Sequence, residues 1–183
     1  MTVKPASSAR YDAENKIPPA KINPKSASKA GELLVIVDLC SFFPYQIEVD
    51  ARSKDKSKLK AHLQSPGAEV IKKLSEDQQL KFVVMNHNAP WHDAAWTVCD
   101  KLGLHGIVVS PAYIFDTYTH KDMMRDFSIT GLDSCLYIGH DAFDLQNAYS
   151  AGIQTLELEG IYDEAHDKDR IDEAILVLKN GPQ

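Results

Sequence analysis

Four continuous apolar runs organise the chain: Leu33–Val37, Phe82–Met85, Ile107–Val109 and Cys135–Ile138. Each is too short for a helix, and each is hydrophobic at consecutive rather than alternate positions, the pattern of a strand covered on both faces. A fifth run, Thr155–Leu158, is more polar. Between the runs the apolar spacing changes to the helical period. Gly67–Leu74 aligns Val70, Ile71 and Leu74, and Ala89–Leu102 aligns Ala95, Val98, Cys99 and Leu102. Ala142–Ala151 and Asp163–Lys179 supply helices after the fourth and fifth runs. Strand and helix in alternation predict an α/β fold, doubly wound about a parallel sheet.

Two stretches stand outside this alternation. Residues 1–31 have no apolar periodicity and carry Pro5, Pro18, Pro19 and Pro24 among Ser, Ala and Lys, so a tail that is disordered or bound extended is expected. Ser41–Ser65 is polar, Lys-rich from Ser53 to Lys60, and reads as an insertion over the sheet. The predicted organisation is therefore a basic tail, 1–31, and one domain, 32–183.

Composition changes that picture little, and charge changes it more. The 183 residues are 44% hydrophobic and 25% charged, ordinary for a soluble globular chain. The net charge of −6 divides unevenly: the tail's six basic and two acidic side chains leave it at +4, and the rest at −10. An acidic domain argues against nucleic acid as partner. No apolar stretch approaches a membrane span, so no membrane insertion is expected. Three cysteines, Cys40, Cys99 and Cys135, are odd in number and too sparse for a disulfide framework. They point to an intracellular setting, cytoplasmic before any organelle.

In open α/β sheets, ligands bind beyond the carboxyl ends of the strands. The residues there are Asp38-Leu39-Cys40, Asn86-His87-Asn88, Ser110-Pro111 and Gly139-His140-Asp141, with Lys121 ahead of the fourth strand. By order and spacing these resemble the four motifs of the haloacid dehalogenase (HAD) superfamily, and locally its small eukaryotic magnesium-dependent phosphatases. The resemblance runs from Leu33 to about Leu158. The Gly139 to Gly152 segment carries it best, with Gly139, Asp144, Ala148, Ala151 and Gly152 in place. It implies a HAD-type, Rossmann-like three-layer sandwich with a parallel central sheet, the first strand beside the fourth, and a short insertion instead of a large cap.

The resemblance also implies roles. Asp38 holds the nucleophile's position and Lys121 that of the lysine neutralising phosphate, while Asn86, with His87 beside it, stands where a Ser or Thr would hold the phosphoryl group. Three positions depart from the family, Asn86 among them. Cys40 replaces the acid/base Asp, and His140 replaces the first carboxylate of the metal-binding motif. General acid–base help is worth roughly 10²–10⁴-fold, and a thiol of ordinary pKa about 8.5 is a poor replacement for a carboxyl group. Mg²⁺ prefers hard oxygen ligands, so Asp38, Cys40, His140, Asp141 and Asp144 make a doubtful site for it; the mixed donors suit Zn²⁺ better. A Cys40–His140 pair activating the thiol is a further option.

Two functions are thus expected in order. The first is a HAD-like pseudo-phosphatase acting as a binding or assembly component with a protein partner. The alternative is an atypical Mg²⁺-dependent phosphoric monoester hydrolase. It would use Asp38 as phosphoryl acceptor on a phosphorylated small molecule or phosphoprotein.

Overall fold

The computed structural model describes residues 33–86, 92–104, 108–109 and 131–180. The tail 1–31, Ile107, Ser110-Pro111, His87 and Lys121 lie outside them. Five strands form one parallel sheet in the order β3-β2-β1-β4-β5: β1 Leu33–Asp38, β2 Leu80–Met85, β3 Val108–Val109, β4 Cys135–Gly139 and β5 Gln154–Glu157. Six helices accompany them: α1 Gln46–Arg52, α2 Lys56–Leu63, α3 Pro66–Glu76, α4 His92–Lys101, α5 Ala142–Ser150 and α6 Glu164–Asn180. The arrangement is the predicted α/β, Rossmann-like sandwich, with helices on both faces of a parallel sheet. None of the described helices is long and apolar enough to cross a membrane.

The continuous apolar runs are explained by two buried faces. Val35, Val37, Phe82, Val84, Leu136 and Ile138 point into a core shared with Ile71 and Leu74 of α3, Val98 of α4 and Ile171 and Ile175 of α6. The alternate residues Leu34, Ile36, Val83, Met85, Cys135 and Tyr137 are equally buried on the other face, where α5 contributes Leu145 and Ala148. Right-handed crossovers dictate this division, because β1→β2→β3 runs one way along the sheet and β4→β5 the other. The order reverses between β1 and β4, and there the carboxyl ends open a crevice.

Helix α3 shows how sequence sets a boundary. The Ser65 side chain accepts a hydrogen bond from the Ala68 N–H, Pro66 occupies the first turn, Glu69 lies near the positive end and Lys73 near the negative one. Its second residue, Gly67, is where α3 meets the turn after β1. A Cβ there would fall 2.5 Å from the Phe42 carbonyl oxygen, so only glycine permits the approach.

The insertion after β1 differs from the expectation in detail. It contains no strand, but it is ordered into α1 and α2. Asp55 caps α2 by accepting from the Ser57 N–H at 3.0 Å. The two helices are joined by the buried Asp50 carboxylate of α1, 2.8 Å from His62 Nε2 of α2. Only Leu59 of α2 is buried, which explains why its apolar pattern is faint.

Candidate active site

Asp38 is the last residue of β1, in register with Met85 of β2, while its neighbour Val37 pairs with Ile138 of β4. That pairing brings His140, just past the end of β4, to the mouth of the same crevice. The predicted neighbourhood of the first and fourth strands is therefore present. Asn86 follows β2 directly and is buried.

The Asp38 carboxylate is fully buried, with 0% of the residue exposed, and both of its oxygens are engaged. Oδ1 accepts from the Cys40 N–H at 3.1 Å, capping the single 3₁₀ turn Leu39–Ser41. Oδ2 accepts from the Ser41 hydroxyl at 2.8 Å. Ser41 Oγ also lies 2.6 Å from His140 Nδ1 and accepts from the His140 backbone N–H at 2.9 Å. His140 Nδ1 itself is 3.6 Å from Asp38 Oδ2.

Counting protons assigns the network. A hydroxyl has one proton and two lone pairs, and an ionised carboxylate can only accept. Ser41 gives its proton to Asp38, so both His140 contacts must donate to Ser41 Oγ. His140 therefore carries a proton on Nδ1. Ser41 has all three of its hydrogen-bonding positions filled and is buried.

The other predicted residues take different places. Asp141 caps α5, its Oδ1 accepting from the N–H groups of Phe143 and Asp144 at 3.0 Å each. Asp144 is buried in the first turn of α5. Burial, reinforced by Asp38 and Asp144, pushes the Cys40 thiol far above its ordinary pKa, so the sulfur stays protonated and is not an activated nucleophile. Among the described residues, no group of three or more His, Cys, Asp and Glu side chains is placed to hold a metal ion. With a hydrogen bond already on each Asp38 oxygen, Asp141 Oδ1 on the helix cap and a protonated thiol at Cys40, these donors are a poor match to the hard oxygen set that Mg²⁺ prefers.

Two residues of the site had no role in the sequence reading. Ser41 is one, although a Ser three residues after a strand-ending Asp is a usable turn signal. Tyr137 is the other. It is fully buried on the sheet face opposite the main core, and its hydroxyl fills the space beside Gly139, where a Cβ would lie 2.6 Å from it. Burial first, then Asp38, Asp144, Asp141 and Cys40, raise its pKa well above the ordinary phenol value. It forms a neutral floor beneath the acidic groups.

No family model matches the chain, and no curated protein matches it. Among solved structures it is similar to the NMR structure of the core domain of a "putative phosphoglycolate phosphatase" from Streptococcus pneumoniae. The two are 19% identical; the match covers 77% of this chain and 95% of that one, with a TM-score of 0.44.

Proposed function

We propose that this chain is a HAD-like protein that has lost efficient phosphatase activity and serves as an intracellular binding or assembly component for a protein partner. The observation that carries this reading is the state of Asp38. A carboxylate nucleophile must present an oxygen in line with the phosphorus atom. Asp38 is buried, and its two oxygens are tied to Cys40 N–H and Ser41 O–H. Cys40, held protonated, can neither take a proton from water nor readily give one to a leaving alkoxide at neutral pH. All three cysteines are free thiols, which supports a reducing compartment.

The alternative is the Mg²⁺-dependent phosphatase in which Asp38 accepts the phosphoryl group and Lys121 and Asn86 stabilise it. It requires Ser41 and His140 to release Asp38 first. Phosphate release from an aryl phosphate with Mg²⁺, compared between the wild type and Asp38→Asn, separates the two. The expected result is the same background rate for both proteins. Metal-dependent turnover that disappears in Asp38→Asn overturns the proposal in favour of the alternative.

A further inference from the structure

The carboxyl edge of the sheet carries large apolar side chains that face solvent. Tyr45 follows β1 and is 63% exposed, Phe143 follows β4 and is 70% exposed, and Ile161 follows β5 and is 51% exposed. These three strands are consecutive in the sheet, about 5 Å apart, so the three residues follow neighbouring carboxyl ends. Ser41 ties the loops together: its hydroxyl meets His140, and its carbonyl accepts from the Tyr162 N–H at 2.7 Å.

The polar groups of these loops have one sign. Residues 38–45, 139–145 and 156–164 hold Asp38, Asp141, Asp144, Glu157, Glu159, Asp163 and Glu164, and neither Lys nor Arg. An apolar rim beside seven acidic side chains suits an occupant that brings lysine or arginine beside apolar residues, and it disfavours an anion.

This chain contains such a segment. Residues 1–31 carry +4, and Lys16-Ile17-Pro18-Pro19-Ala20-Lys21 sets an apolar residue and two prolines between two lysines. The proline pair favours an extended form, which lowers the ordering cost of binding. Reach is sufficient. The tail joins β1 at Leu33, one six-residue strand of about 20 Å from the mouth. The eleven residues from 22 to 32 span up to about 35 Å when extended. Tethering also gives the segment an effective concentration on the order of millimolar.

We propose that the segment Lys16–Lys21 docks in cis on the rim formed by Tyr45, Phe143 and Ile161, so that an outside partner must compete with it. The proposal rests on the reading of this mouth as a binding surface.

Acylation of lysines by an amine-reactive ester, read residue by residue by mass spectrometry, tests it on the full chain. Lys16 and Lys21 are expected to react several-fold more slowly than in a synthetic peptide of residues 1–31. The protection should disappear in the triple variant Tyr45→Ser, Phe143→Ser, Ile161→Ser, and in 1 M salt, where the Debye length is about 3 Å. Circular dichroism of the triple variant confirms that it is folded, and the salt arm needs no variant. Peptide-like rates in the wild type overturn the proposal. So does protection that survives the triple substitution, or that grows with protein concentration and thereby points to a second copy. Asp38-dependent turnover in the phosphatase assay removes the underlying reading instead, whatever the lysine rates.

Discussion

Ser41 decides what the site can do. It hydrogen-bonds both Asp38 and His140, and because its one proton goes to Asp38, Nδ1 of the imidazole must donate to it. Ser41→Ala removes the hydroxyl that Asp38 Oδ2 and His140 share. The expected loss is about 1–3 kcal/mol of stability, measured by urea unfolding, because a buried hydrogen bond to a carboxylate is lost. Cys40 gives a second test. With its thiol held protonated by burial and two carboxylates, iodoacetamide at neutral pH should leave it unmodified in the folded chain and label it after unfolding. Rapid labelling of native Cys40 would restore the thiol-nucleophile option. Asp38, Cys40 and His140 could be singled out from sequence because they follow apolar runs. Ser41 could not, since its meaning comes from a residue 99 positions away.

At the scale of elements, the strands were readable because burial on both faces leaves an uninterrupted apolar run. Strand β5 starts and ends one residue before the apolar run Thr155–Leu158, as local register rather than hydropathy sets its ends. The insertion was harder, since α1 and α2 are held by caps and by the Asp50–His62 pair more than by an apolar stripe. Gly67 marks where α3 supports the site. Gly67→Ala forces a methyl group onto the Phe42 carbonyl, and overpacking of this kind costs about 1–3 kcal/mol, readable as a lower urea midpoint. The Asp50 carboxyl lies below its ordinary value of 3.8, held there chiefly by the hydrogen bond from His62. A depressed carboxyl group supplies stability above its unfolded pKa and loses it as the pH falls through the folded one. The Tm difference between wild type and Asp50→Asn should therefore be full near neutrality and shrink below about pH 4.

On the scale of the whole molecule, the topology places Asp38 and His140 at the switch point of the sheet, where such folds bind ligands. The chemistry present there is that of a closed network: a buried carboxylate, a saturated hydroxyl and a protonated thiol. Residues 32–183 carry −10, and the +4 of residues 1–31 is the complement within the same chain. The α/β class with a parallel sheet could be anticipated from pattern, whereas the adjacency of the first and fourth strands came from the resemblance. Closure of the site could not, because it depends on which groups exchange protons across two loops.

Closure at Asp38 is the central claim, and intact-mass spectrometry after incubation with acetyl phosphate and Mg²⁺ tests it most directly. The wild-type chain should show no phosphoryl adduct above that of Asp38→Asn. A base-labile adduct of one phosphoryl group, mapped to Asp38 and absent from Asp38→Asn, would show the carboxylate to be an available nucleophile and contradict the account.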